Sequence, residues 1–369
     1  MACALTAAAG ACATGQQLDV KKVDATVQAP ANIALYLKIA RQDGQPVTLI
    51  ANDFKVYEDG KQVPPKKVRR ALLPVKYAVD RTVLVMVDLS GPLVDSEYLS
   101  TLQDAVASLA ERVGKDARMA LSAFDGDGVV PFIGLEDGDT KAGLVAMRKF
   151  RPRSRNIDLW GAFITALDEL DDVAKRSSVP HQKATLILVT DRVDKAGRHS
   201  RDEALARVQK SPADVYVIGI GDGINREDLV PLGKTAALFA TEARELAKPF
   251  VDLADRIEAQ LGQDYLFAYC SPQKVSKRPG KHTVEVRIAT SQWHASVEHE
   301  FSTKAFTKAA CDPEAKPAFG SVAAKESDGD SEPREKAEGD ADDKESGKTK
   351  KARGKKKVAE EDEGEDEGG

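Results

Sequence analysis

Two hydrophobic periodicities divide the chain. Residues 31–40 (ANIALYLKIA) place Ile33, Leu35, Leu37 and Ile39 against smaller or polar neighbours, the period-two pattern of a half-buried strand. Phe54, Val56 and Tyr57 predict another strand, set between turns at Asp43-Gly44-Gln45-Pro46 and Asp59-Gly60. Residues 17–81 therefore read as a small antiparallel β module of about five strands. From Thr82 the pattern changes: Val83 to Val87 is an uncharged apolar run, suited to a strand covered on both faces. It stops at Asp88, Ser90, Gly91 and Pro92, which places a carboxylate and a hydroxyl at the carboxyl end of a buried strand, where open α/β sheets hold ligands.

The alternation continues to about residue 262. Leu99, Leu102, Val106, Leu109 and Val113 recur at helical spacing, as do Leu159, Phe163, Leu167 and Leu170. Strands are predicted at 118–123, 129–133, 184–190, 214–220 and 236–239, with helices from about 140, over 200–209 and over 243–260. Strands alternating with helices predict a doubly wound, mostly parallel sheet with right-handed crossovers. Over 263–311 alternating strands return at 265–269, 282–289 and 293–301. Three strands need a partner layer, so they are expected to complete the first β module, with the α/β unit inserted between its halves; two separate β units are the alternative.

Composition refines this outline. The chain has 369 residues, 42% of them hydrophobic, enough for two domains and ordinary cores. Its formal charge of −5 argues against a general nucleic-acid binder. Residues 312–369 mix Lys, Glu, Asp, Gly and Ser with almost no aromatic residue, a composition expected to be disordered. Within them, 348–357 is a basic block and 360–367 an acidic one, read either as an electrostatic tether or as a solvating tail. Residues 1–16 are small, apolar and uncharged over most of their length, as in an export signal, and Ala9-Gly10-Ala11-Cys12 resembles a lipobox in which Cys12 would be lipidated. A disordered alanine-rich terminus is the other reading. Of the four cysteines none shows C-x-x-C spacing; Cys270 and Cys311 suit one disulfide in an oxidising compartment, or two buried thiols otherwise.

The α/β unit resembles the von Willebrand factor A domain. VLVMVDLSG is similar to that family's first strand with its D-x-S-x-S motif, and LILVTD to the strand ending in its third metal-site aspartate. Asp158-Leu159-Trp160-Gly161-Ala162 resembles the helix start just after the family's threonine, and VYVIGIGDG its fifth strand. QPVTLIANDFKVYEDGKQV, DYLFAY and GKHTVEVRI resemble the flanking strands of exported bacterial proteins carrying this domain. The resemblance implies a metal-ion-dependent adhesion site on the upper sheet edge, where a divalent cation such as Mg²⁺ takes oxygen ligands. Asp88, Ser90 and Asp191 match three ligand positions. Pro92 replaces the second serine, Ile157 stands where the threonine belongs, with Asn156 and Asp158 beside it, and Arg192 follows Asp191 where a small residue is usual. A guanidinium can replace a cation as counter-charge, so a metal site and a metal-free site both stand.

Arg151, Arg153 and Arg155 lie in the basic loop RKFRPRSR before the site helix, where they can grip a partner's carboxylates; a solvated basic loop is the alternative. An aspartate-based phosphotransferase or hydrolase lacks support: no histidine lies near either aspartate in sequence, and Gly219-x-Gly221-Asp222-Gly223 reads as a tight turn. The reading is a non-enzymatic protein-binding or adhesion module of the bacterial envelope, with a structural envelope scaffold as the alternative.

Overall fold

The computed structural model describes residues 15–320, except 67, 91–92, 94–97, 127, 136–139, 154–156, 192–193, 196 and 276–279. The expectations placed on Cys12, Pro92, Arg155, Asn156, Arg192 and the 321–369 tail lie outside the described residues.

β1 (Gln16–Gln28) and β2 (Asn32–Arg41) form an antiparallel hairpin, followed by β3 (Phe54–Glu58), β4 (Lys61–Gln62) and β5 (Arg70–Leu73). Asp59 and Gly60, between β3 and β4, both have positive φ (47° and 76°), the conformation a two-residue hairpin turn requires. The α/β unit then runs β6 (Val79–Asp88), α1 (Tyr98–Val113), β7 (Arg118–Asp125), β8 (Gly128–Ile133), α2 (Thr140–Lys149), α3 (Leu159–Arg176) and β9 (His181–Thr190). It continues with α4 (Arg201–Lys210), β10 (Asp214–Ile220), the one-turn α5 (Arg226–Leu229), β11 (Ala236–Ala240) and α6 (Ala247–Leu261). β12 (Asp264–Cys270), β13 (Lys281–Ala289) and β14 (Trp293–Ser302) close the described chain.

Among the described residues the strands form two sheets. The six-stranded sheet has the order β11-β10-β9-β6-β7-β8, parallel except for β8. Its two faces are covered as the apolar run in β6 demands: Val83, Val85 and Val87 pack towards α1 and α6, Leu84 and Met86 towards α3 and α4. The eight-stranded sheet has the order β4-β3-β13-β14-β1-β2-β12-β5, so strands from before and after the α/β unit share one sheet. β1 joins its halves. Gln16 and Gln17 pair in parallel with β14, and the rest of the strand pairs antiparallel with β2. The fold is thus a doubly wound α/β sheet inserted between segments of an antiparallel β-sandwich-like layer.

One expectation needs correction. β2 is buried on both faces rather than one. Ile33, Leu35, Leu37 and Ile39 enter the sandwich core with Phe54, Phe267 and Val286, while Ala34 and Tyr36 enter a second cluster with Leu266, Ala78 and Val79. That second cluster is where β2 and β12 meet the start of β6. Polar groups continue the contact: Asp264 of β12, which accepts from the Tyr36 hydroxyl at 3.0 Å, also accepts from Arg81 of β6 and from Lys183 of β9 at 2.9 Å, and His181 Nε2 lies 2.9 Å from Asp24 Oδ2 of β1.

Cys270, ending β12, is joined to Cys311 by a disulfide, with 5.9 Å between Cα atoms. It fastens the segment that continues to Ala318, whose carbonyl accepts from Thr26 Oγ1 at 2.6 Å. No helix among the described residues is long and apolar enough to cross a membrane.

Candidate functional site

The carboxyl ends of the parallel strands gather the polar groups. Asp88, ending β6, is fully buried, as is Ser90 just beyond it. Asp88 Oδ1 accepts from the Ser90 backbone N–H at 3.0 Å and from Ser90 Oγ at 2.6 Å, which closes a tight local turn. Asp88 Oδ2 accepts from Thr190 Oγ1 at 2.9 Å. The β6–β9 register produces that contact: Val87 pairs with Val189, so the residues after them stand side by side. Asp191 follows Thr190, half-buried at the same edge.

The start of α3 forms the next wall. Asp158 is its N-cap and accepts from the Gly161 N–H at 3.0 Å. Asp194 adds a second carboxylate cap, accepting from Leu159 N–H at 2.7 Å and from Gly197 N–H at 3.0 Å. Two carboxylates at a helix N-terminus satisfy its orphan donors and oppose the positive end of its dipole. A Cβ on Gly161 would lie 2.5 Å from Asp158 Oδ2 and 2.6 Å from His199 Nδ1, so only glycine lets these groups approach the helix. Asp158, His199 and the buried Asp125 line a cavity of about 100 Å³ beside α3. Asp125 ends β7 and accepts from the Arg153 backbone N–H at 2.8 Å, bolting the basic loop to the sheet edge.

The structure places the expected site residues unequally. Asp88, Ser90 and Asp191 stand at one edge. Arg151 and Arg153 are exposed beside it, the former donating through Nη1 to the Phe150 carbonyl at 2.8 Å. Ile157 is wholly buried among Leu84, Phe163 and Leu188, with no oxygen to offer. Thr190, Asp125 and Asp194 escaped the sequence reading. Each is an ordinary strand-end or loop residue in the sequence, and only the strand register makes it part of the site. The glycines after β10 serve backbone geometry: Gly221 has φ +90° and donates to the Ala240 carbonyl at 2.8 Å.

A hard divalent cation takes about six oxygens, several from protein. Here both Asp88 oxygens accept hydroxyl hydrogens, Asp88 and Ser90 are sealed from solvent, and the threonine position is apolar. No group of three or more His, Cys, Asp or Glu among the described residues is arranged to hold a metal.

No protein-family model matches the sequence, and no curated protein sequence does. Among solved structures the chain is similar to proximal thread matrix protein 1 from the mussel byssus, at 20% identity and a TM-score of 0.42 over 49% of each chain. It therefore spans about half the length of that protein. It is similar to a von Willebrand factor type A protein from Catenulispora acidiphila, at 10% identity and a TM-score of 0.41 over 79% of this chain and 75% of that one. It is also similar to the manganese-loaded TRAP protein of Plasmodium vivax, at 15% identity and a TM-score of 0.40 over 63% of this chain and 96% of that one.

Proposed function

We propose that this chain is a non-enzymatic protein-binding module of the bacterial envelope that grips its partner through the upper edge of the α/β unit without a bridging cation. One contrast carries the reading: Asp88 is sequestered by Ser90 and Thr190, while Arg151 and Arg153 stand exposed on a loop held by Asp125. Guanidinium groups form charge-assisted, often bidentate bonds to carboxylates, so a partner presenting Asp or Glu has donors waiting there. Arg155 belongs to the same basic loop of the sequence, and Arg192 directly follows Asp191. A buried, doubly bonded carboxylate is also a poor nucleophile or base, which weighs against an aspartate-based transferase. The Cys270–Cys311 disulfide supports an oxidising, exported location, and lipidation of Cys12 would supply an anchor.

A second reading, a structural envelope scaffold, draws on the apolar contacts joining β2 and β12 to β6, on the ion pairs from Arg81 of β6 and Lys183 of β9 to Asp264 of β12, and on the contact of His181 with Asp24 of β1. Calorimetric titration of Mg²⁺ and Mn²⁺ into the full chain, with Asp88→Ala as control, separates the modes of binding. The metal-free reading expects no saturable heat. Binding that vanishes in Asp88→Ala would restore a cation-bridged site. A cross-linked partner should persist in chelator and disappear from the Arg151→Glu/Arg153→Glu chain; its indifference to those changes would favour the scaffold.

A further inference from the structure

The strand at the end of a sheet presents a row of unpaired N–H and C=O groups, which proteins blunt with charge, proline or extreme shortness. Most of the sheet ends here are blunted in this way. β8 carries Pro131, β4 is two residues long with Lys61 exposed, and β5 carries Arg70. β11 differs. It has no charge and no proline, and it pairs with β10 in an unbroken register. Ala236, Ala237, Leu238 and Phe239 are half-buried, and no strand among the described residues lies on the outer side.

The bonds to β10 fix which backbone groups point outward. Thr235 N–H donates to the Val215 carbonyl at 2.9 Å, and Val215 N–H donates to Thr235 Oγ1 at 2.9 Å. Gly221 N–H donates to the Ala240 carbonyl at 2.8 Å. Val215 and Gly221 thus belong to the row of β10 that faces β11. In a parallel pair both backbone groups of alternate residues turn to the same neighbour. With Tyr216 opposite Ala236, that row bonds Ala236, Leu238 and Ala240. Ala237 and Phe239 each turn an N–H and a C=O away from the sheet.

We propose that β11 pairs antiparallel with β11 of a second copy of this chain, across a two-fold axis at Leu238, joining two six-stranded sheets into one. In this register Ala237 faces Phe239 of the other copy and Phe239 faces its Ala237, both as hydrogen-bonded pairs, so every outward group finds a partner. Each pair sets a ring beside a methyl on the face that carries α3 and α4. Leu238 meets its own copy on the other face, in a non-hydrogen-bonded pair where side chains come closest. Charge fits the same register. Lys234 and Glu242 are both exposed and lie four residues to either side of Leu238, so each stands opposite the other across the axis. A parallel pairing would set Lys234 beside Lys234, and a shift of one residue would oppose an outward residue to an inward one. Such a contact is isologous and closes at two copies. The assignment is independent of the upper-edge reading, which concerns another surface and a different partner.

Sedimentation equilibrium of the full chain from about 1 μM to 1 mM should show a dimer with a Kd on the order of 10 μM. Ala237→Pro removes an N–H that β10 does not use, so the chain should keep its urea midpoint and stay monomeric over that range. Lys234→Glu sets like charges opposite at both ends and should weaken the dimer roughly tenfold, and Lys234→Glu/Glu242→Lys should restore it. Lys234 also donates to the Ser211 carbonyl at 2.7 Å and Glu242 pairs with Arg244, but loss of those local bonds predicts no rescue in the double variant. The charge variants carry the test even if Ala237→Pro fails to fold. The proposal is overturned by a monomer at every concentration, by a dimer indifferent to folded Ala237→Pro or to Lys234→Glu, or by a double variant as weak as the single one.

Discussion

Ile157 shows how one side chain sets the chemistry of the upper edge. Its burial beside Leu84 and Phe163 makes it part of the core rather than of a ligand shell. Ile157→Thr should therefore cost about 1–3 kcal/mol, because a hydroxyl enters an apolar cluster, and should not create cation binding; urea denaturation with and without Mg²⁺ checks both. Two other buried carboxyls respond to pH with opposite sign. Burial pushes Asp264 up, but Lys183 and Arg81 outweigh it and hold the carboxyl below its ordinary range. Its contribution is then present above about pH 4 and lost as pH falls through its native value. Glu58 is raised, chiefly by burial, against bonds from Ser271, Tyr269 and Gln273. Its charged form penalises the fold increasingly as pH rises from about 4.3. Glu58→Gln should remove that decline, and Asp264→Asn should flatten the acid limb, in stability measured from pH 3 to 8. Asp264→Ala should cost about 3–5 kcal/mol at neutral pH by leaving Arg81 and Lys183 uncompensated.

At the scale of elements, much of the α/β unit could be read directly. The apolar run of β6 and the helical spacing of α1 and α3 are local signals, and each resolved to the element it implied. β2 was harder: Ala34 and Tyr36 look like the outward face of a half-buried strand, and only contact with β6 and β12 buries them. Non-local pairing hid the rest. Asp88 and Thr190 meet across 102 positions and Arg81 and Asp264 across 183, distances no periodicity spans. The one-turn α5 was missed because four residues carry no period. The disulfide acts at this scale too. It closes a separation of 41 residues, so Cys270→Ser/Cys311→Ser should lower stability by about 4 kcal/mol, read as a lower urea midpoint than that of the oxidised chain. Asp158→Ala, removing the α3 cap, should cost about 1 kcal/mol, and Asp158→Asn much less.

For the whole molecule, the shared cluster under β2 joins the sandwich to the α/β unit. The chain's two tryptophans report on each part: Trp160 lies in α3 and Trp293 in β14. Single-tryptophan variants, Trp160→Phe and Trp293→Phe, should give the same denaturation midpoint, since one cooperative unit unfolds at once. Separate midpoints would show that the contact at Tyr36 and His181 does not couple the two parts.

The position of β1 also imposes an order in time. Its first residues pair with β14, whose sequence begins at Trp293, while β12 covers the other edge of β2. A ribosome working from the amino end produces the opening hairpin long before either neighbour exists. Until then β2 has unpaired backbone along one edge and lacks the cover that β12 and β13 residues give its two faces, a template for wrong partners. Nascent chains ending near residue 260 should leave β1 and β2 open to protease while the α/β unit resists it. Completion of β14 should close that vulnerability in a single step.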